Sequence, residues 1–336
     1  MAEQTLQRRK IAVLYTGGTI GMQAGDDGLK PSSDSVLAAL ARYQNDIDWY
    51  VQVCEPLIDS SQVQPQHWQA WQQWVWEQEC DGILILHGTD TMAYSANVLA
   101  FSLGELDTPV VLTGAQHPLG TPAGDAEFNL DTAVQALLQH AAPKAVSMVF
   151  AGEILAAVGS RKISTRSLHG FANKNTAPLA CWQQGQWQLQ AATATSARES
   201  AQARVILKTD MRIASHYCVP VGEQWALRLL LQSGQADVVI VQSFGHGNGL
   251  FSVADITAMQ AFQAAGGIII NVSQVADGHV AAAYEASKAL RDAGVLMAGA
   301  WTVETAYAKA LVGLSAGLRG ADLAAYLQQN MLGEWD

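Results

Sequence analysis

The chain alternates short, wholly apolar runs with longer segments of helical period: KIAVLYTGG, then SDSVLAALARYQ, HWQAWQQWVWEQ, DGILILHGTD, YSANVLAFSLGE and PVVLTGAQ. A run that is apolar at every position, rather than at every second one, predicts a strand covered on both faces. Such strands, separated by helices, belong to a parallel sheet with helices on either side. Trp68, Trp71, Trp74 and Trp76 fall within one of the helical segments, mostly three apart, which is the pattern of a helix face packed on a sheet. A cofactor box is the less economical reading of the same spacing.

From about Gln190 to Arg204 the sequence turns to QAATATSARESAQAR, small and polar and without apolar period, the composition of a linker. The alternation then resumes with ADVVIVQSFGHGNG, DITAMQAFQAAG, GIIINVSQ and AYEASKALRDAG, and closes on a helix around Val303 to Ser315. The expected fold is α/β. A larger N-terminal domain, residues 1–190, carries a mostly parallel sheet flanked by helices together with the catalytic residues. A linker, 191–208, leads to a smaller C-terminal α/β domain, 209–336. A chain of 336 residues can bury two such cores.

Charge narrows the function. The net charge of −11 repels nucleic-acid phosphates and anionic membrane surfaces, so neither is an expected partner. No segment approaches the roughly 20 apolar residues of a membrane span, and the apolar run after MAEQTLQRRK is too short for a signal-peptide core. Cys54, Cys80, Cys181 and Cys218 are scattered without a CxxC pair, which predicts reduced thiols in a cytoplasmic protein. No HExxH and no Cys/His ligand set is present, so no metal site is expected.

In open parallel sheets, ligands gather at the carboxyl ends of the strands. Three polar stretches stand there: TGGTIG at Thr16–Gly21, DSS at Asp59–Ser61 and HGTDTM at His87–Met92. Each alone is ordinary turn chemistry. TGGTIG lacks the lysine of a Walker loop and the GxGxxG of a dinucleotide turn. What remains is a turn where Gly17 and Gly18 admit a close backbone approach and bare amide N–H groups, with Thr19 offering a hydroxyl. A threonine is a poor nucleophile unless a neighbour takes its proton. HGTDTM adds a second hydroxyl, Thr89, beside the Asp90 carboxylate, and a desolvated lysine held by a carboxylate can serve as the base.

Together TGGTIG and HGTDTM, roughly 70 residues apart, resemble the two-motif signature of the bacterial L-asparaginase family, in its cytoplasmic type. VVLTGAQHPL, GHGNG and WTVETAYAKAL extend the resemblance over most of the chain. It implies hydrolysis of L-asparagine to L-aspartate and ammonia through an acyl-enzyme, without a cofactor or metal, in a homodimer or homotetramer. It puts the nucleophile at Thr19 and the second threonine and its carboxylate at Thr89 and Asp90. The lysine becomes Lys162, nine residues before Phe171 in KISTRSLHGF, in preference to Lys174. The arginine often found three residues ahead of it is Gly159 here, with Arg161 close by.

Ser60 and Asp90 match the family's holders of the substrate α-carboxylate and α-amino groups. Gly18, Ser61, Gly88, Thr89 and Ala115 line the site, and Asn248 matches a residue contributed across a subunit interface. The chain departs from the family in the loop after the first motif. The family has a tyrosine whose hydroxyl contacts the nucleophile, and here GLKP puts Leu29 in its place, in a loop that Gly25, Asp26, Asp27 and Gly28 predict to be flexible. Tyr284 is a candidate for a substitute hydroxyl; otherwise activation falls to Thr89, Lys162 and Asp90. Other readings of the residues are a glutaminase-asparaginase, the amidase subunit of a tRNA-dependent amidotransferase, and a sensor that binds asparagine or aspartate without turnover.

Overall fold

The protein is described here by a computed structural model that covers residues 8–25, 28–173, 175–190, 203–281 and 288–335. Its first half runs β1 (Arg9–Gly17), a single 3₁₀ turn (Thr19–Gly21), the hairpin β2 (Met22–Gly25) and β3 (Gly28–Pro31), α1 (Asp34–Ala41), β4 (Ile47–Ile58), a second 3₁₀ turn (Ser60–Gln62) and α2 (Pro65–Trp76). Then come β5 (Gly82–Leu86), α3 (Met92–Ser102), β6 (Val110–Thr113), α4 (Ala126–Leu138) and β7 (Val146–Phe150). The chain afterwards reverses through β8 (Glu153–Ala156), β9 (Ser160–Lys162), β10 (Phe171–Asn173), β11 (Ala180–Gln183) and β12 (Gln186–Leu189). The remainder holds β13 (Ile213–Tyr217), α5 (Trp225–Gln232), β14 (Val238–Ser243), α6 (Val253–Ala264), β15 (Ile268–Ser273), α7 (Lys288–Asp292), β16 (Leu296–Met297), α8 (Val303–Ser315) and α9 (Gly320–Gln328).

Eight strands form one sheet in the order β12-β11-β8-β7-β6-β5-β1-β4. The five from β4 to β7 are parallel, and β8, β11 and β12 extend the edge antiparallel. The wholly apolar runs become the central strands, with every residue of β5, β6 and β7 buried. One apolar core joins the sheet to α2 and α3, the other to α1 and α4. Trp68 and Trp71 sit in the first core at 5% and 3% exposure, as expected of a helix face on the sheet. β13 to β16 form a separate, parallel four-stranded sheet in the smaller C-terminal domain. Of the stretch expected as a linker, 191–202 lie outside the described residues. Leu207 just beyond is fully buried, its carbonyl accepting from Gln69 and that of Val205 from Gln72.

The helix expected near Val303 to Ser315 is α8, but it does not close the chain. Gly317 takes positive φ just past the last turn and breaks the helix, and α9 follows from Gly320. Almost every residue of α8 is buried, because one side meets the core of the large sheet and the other that of the small one. Among the described residues no helix is long and apolar enough to cross a membrane.

Within α8 the ammonium of Lys309 is fully buried. It reaches Glu334 at 2.5 Å, donates to the carbonyls of Leu327 and Gln329, and lies 4.8 Å from the Trp301 ring centre. Glu334 in turn accepts from the amides of Met331 and Leu332, so the pair pins the chain end beneath α8. Removing one partner of such a pair leaves a charge without compensation. Lys309→Met is expected to cost about 3–5 kcal/mol in urea unfolding, and adding Glu334→Gln should recover part of it.

Candidate active site

The three polar stretches stand side by side at the carboxyl ends of β1, β4 and β5, which are neighbours in the sheet. What brings them together is the absence of side chains at two positions. A Cβ on Gly18 would fall 2.3 Å from the Gly88 Cα, and one on Gly88 would fall 2.5 Å from the Ser60 Oγ. Gly88 is therefore clasped between the first and second loops, and Gly18 holds φ at 87°, a left-handed conformation that glycine tolerates. Thr16 belongs to β1 rather than to the turn, its hydroxyl donating to the carbonyl of Leu86. Thr19 opens the first 3₁₀ turn, half-buried, directly after Gly18.

The second loop is bound to the third. The Ser60 Oγ, buried, accepts the Asp90 amide at 3.2 Å, and the Thr91 hydroxyl donates to the Ser60 carbonyl at 2.7 Å. Asp59 caps its own turn by accepting from the Ser61 amide, which leaves the Ser61 side chain exposed. Ala115, fully buried, follows β6. Asp125 steadies the chain beyond it by accepting from the amides of Gln116 and His117.

Lys162 enters from β9. Its Nζ donates to the Thr89 Oγ1 at 2.8 Å and to the Asp90 Oδ1 at 2.7 Å. Phe171 is its partner across the β9–β10 ladder, so the nine-residue spacing is a hairpin register. Opposed residues in such a ladder leave on one face. Phe171 is buried with its ring 4.9 Å from that of Phe150, and this fixes the face from which Lys162 extends. Beside it Arg161 stands 3.8 Å from Glu304 on α8, whose carboxyl burial pushes up from its usual range. Asp90, 60% exposed, keeps its second carboxylate oxygen without a partner among the described residues.

Asn248 is not brought into this cluster. It lies in the tight loop after β14, bridged to Phe244, and its Oδ1 is buried without a partner. Leu29 pairs with Ala24 across the β2–β3 hairpin, while Asp26, Asp27, Lys174 and Tyr284 lie outside the described residues. No group of three or more His, Cys, Asp or Glu able to hold a metal occurs among the described residues.

One residue of the third loop went unread in the sequence. His87 is buried, and burial lowers its pKa from the ordinary 6.5 to about 4. Its Nδ1 lies 2.7 Å from the Gly88 carbonyl and its Nε2 2.8 Å from the Ser95 Oγ. Ser95 also accepts from the Trp68 indole at 2.8 Å. Its place at the head of HGTDTM was the only signal available, and a motif histidine carries no indication of what it touches.

Hydroxyls, a lysine and a carboxylate gathered over the carboxyl edge of an α/β sheet are the groups that acyl transfer from an amide to a hydroxyl would use. The comparisons agree. The family profile described as "Asparaginase, N-terminal" matches residues 10–195, and that described as "Glutaminase/Asparaginase C-terminal domain" matches residues 212–327. The chain belongs to the asparaginase family of amidohydrolases. It is 29% identical over 337 residues to L-asparaginase 1 of Escherichia coli, covering 98% of each chain. It matches the crystal structure of L-asparaginase I from Vibrio cholerae with a TM-score of 0.85 at 28% identity, over 98% of this chain and 99% of that one. It is also 29% identical over 315 residues to a subunit of the glutamyl-tRNA(Gln) amidotransferase of Thermoplasma acidophilum, covering 90% of this chain and 75% of the relative.

The lowered His87 value has a consequence for stability. Between about pH 4 and 6.5 the unfolded chain binds a proton at His87 that the folded chain does not, so the site destabilises the fold as pH falls through that window. Above the window it has no effect. Across the whole of it the loss amounts to about 3 kcal/mol. In urea melts at a series of pH values, His87→Asn should be less acid-sensitive than the parent by that amount, with parallel curves above neutrality.

Proposed function

We propose that the protein hydrolyses L-asparagine to L-aspartate and ammonia, with Thr19 as the nucleophile. The Thr19 oxygen attacks the side-chain amide carbon and its proton passes to the group formed by Thr89, Lys162 and Asp90. The Lys162 Nζ, bonded to both groups, hands a proton to the Asp90 carboxylate as its amine takes the Thr19 proton through the Thr89 hydroxyl, and the same line returns a proton to the leaving nitrogen. The backbone amides near Gly18 and Thr89 face the oxyanion. The C–N bond then breaks, the nitrogen takes the proton and leaves as ammonia, and water hydrolyses the ester on Thr19 to release aspartate. The observation that carries this reading is the Lys162 Nζ held at 2.8 Å and 2.7 Å between Thr89 and Asp90.

The free oxygen of Asp90 suits the substrate ammonium. The hydroxyl of Ser60, which accepts the Asp90 amide, retains its hydrogen for the α-carboxylate, beside Ser61 and Ala115. A homo-oligomer, dimer or tetramer, completes the reading, with Asn248 serving a neighbouring subunit. Its support is an apolar surface near the Asn248 loop, where Trp225 and Leu229 are 60% exposed, Leu250 59% and Val253 85%. A cytoplasmic location accords with four unpaired thiols. The likeness to part of an amidotransferase keeps glutamine open as a second substrate, and ammonia release from each amide separates the two.

Thr19→Ala is expected to lower asparagine turnover by about 10³-fold or more, and Lys162→Met to abolish it while leaving aspartate binding, measured by calorimetry, largely intact. Thr19→Ala activity within tenfold of the parent would exclude the nucleophile assignment, and a parent that binds asparagine without releasing ammonia would be a sensor.

Complementation checks the oligomer. Refolding an equimolar mixture of Thr19→Ala and Asn248→Ala chains should give activity above either alone, because a mixed dimer holds one site with both residues. No gain, with dimers present in sedimentation, would remove Asn248 from the site.

A further inference from the structure

Gly88 and Thr89 share one peptide group, and in a trans peptide its C=O and N–H point in opposite directions. Whatever holds the Gly88 carbonyl therefore aims the Thr89 N–H. The Thr89 N–H donates to no group among the described residues, and the Gly88 carbonyl is held by His87 at 2.7 Å. The hydrogens along this line have only one consistent arrangement. The Trp68 indole can only donate, so the Ser95 oxygen accepts from it and turns its own hydrogen to the His87 Nε2. A carbonyl can only accept, so the His87 Nδ1 carries the hydrogen that faces Gly88. If the hydrogen sat on Nε2 instead, two lone pairs would face each other at 2.7 Å.

We propose that Trp68, Ser95 and His87 form a positioning chain that fixes and polarises the Gly88–Thr89 peptide as an oxyanion donor. The bonds run head to tail from the indole to the peptide, and aligned bonds in a buried setting strengthen one another. The outcome is a Thr89 N–H held in one direction and made a better donor, in place before any charge develops. Burial serves the same end. With Trp68 at 5% exposure, Ser95 at 0% and His87 at 1%, water does not compete for these groups, and the Trp71 ring packs perpendicular to the imidazole with ring centres 5.2 Å apart. Because burial also holds the imidazole neutral above about pH 4, the tautomer persists over the working range and brings no charge beneath the site. His87 touches no substrate on this account. It acts through the peptide, and its contribution belongs to the transition state rather than to binding.

The proposal rests on the acyl-transfer reading, and the test keeps the two apart. Steady-state kinetics with asparagine, aspartate binding and thermal melts are compared for His87→Leu, His87→Asn, Ser95→Ala and Trp68→Phe. His87→Leu removes the donor and is expected to lower kcat about 10²-fold, with KM and aspartate affinity changed by no more than about threefold. His87→Asn places an amide N–H near the position of Nδ1 and should restore at least about tenfold of that loss. Ser95→Ala and Trp68→Phe keep the donor but break the chain behind it, and should each cost about two- to tenfold in kcat. If the leucine variant does not fold, the asparagine, alanine and phenylalanine variants carry the test.

The proposal is overturned if His87→Asn is as impaired as His87→Leu in folded protein, if the losses fall in KM, or if Ser95→Ala and Trp68→Phe turn over at the parent rate. Substantial activity in Thr19→Ala, by contrast, would overturn the acyl-transfer reading, whatever the His87 series shows.

Discussion

The whole site hangs on the contact between two glycines. Strands in a sheet are about 4.8 Å apart, and the loops that leave their ends normally diverge under the bulk of their side chains. Gly18 and Gly88 prevent that divergence by letting one backbone lie directly on the other, with Ser60 closing the far side of Gly88. Any Cβ at either position would open the gap and separate Thr19 from Thr89. Three hydroxyls, those of Thr19, Ser60 and Thr89, a carboxylate and a pair of bare amides thereby come from three different strands without a long loop to carry them.

The lysine reaches the same point by another route. After β7 the sheet stops adding parallel strands, and the chain turns back through β8 before presenting β9 as one arm of a short hairpin. A hairpin this short has little stability of its own. It is held at the Phe171 side by the large core and at the Arg161 side by Glu304, while the Gly159 amide donates to the Thr305 hydroxyl. Glu304 and Thr305 both stand at the start of α8, the helix that is buried between the two sheets. The strand that carries Lys162 is thus braced against the C-terminal domain, and the two domains share responsibility for one side chain.

How much of this was legible in the sequence differs by type of feature. The central strands were, because burial on both faces writes itself as an unbroken apolar run, and the family was, because two spaced motifs are specific. The antiparallel edge was not. EILA, ACWQ and QWQL are four-residue segments of mixed polarity, too short to show a period. Neither was α9, which begins only after Gly317 has ended a helix that looked like the last. The proximity of Lys162 to Thr89 and Asp90 came from resemblance to a family. Its physical basis, the pairing with Phe171, is a register between strands of three residues each, which no local pattern reveals. The Trp68, Ser95 and His87 line was illegible for a further reason. Each of the three reads correctly as core, and only the folded structure adds that their polar atoms are successive partners.

That double reading bears on the departure at Leu29. A family tyrosine in the first loop would add one hydroxyl from the β2–β3 hairpin, at whose base the Ser32 amide donates to the Gly21 carbonyl and the Tyr15 hydroxyl to the Ser32 carbonyl. The groups around Thr89 are fixed differently. Every one is tied to a strand end, to β9 or to α3 by bonds that do not depend on the hairpin's position. A site whose lysine, carboxylate and amides are held by strand ends and by β9 can lose a contact from the β2–β3 hairpin and keep its remaining groups in place. The reverse does not hold, since no residue of the hairpin could restore the alignment of Thr89 once the two glycines had parted.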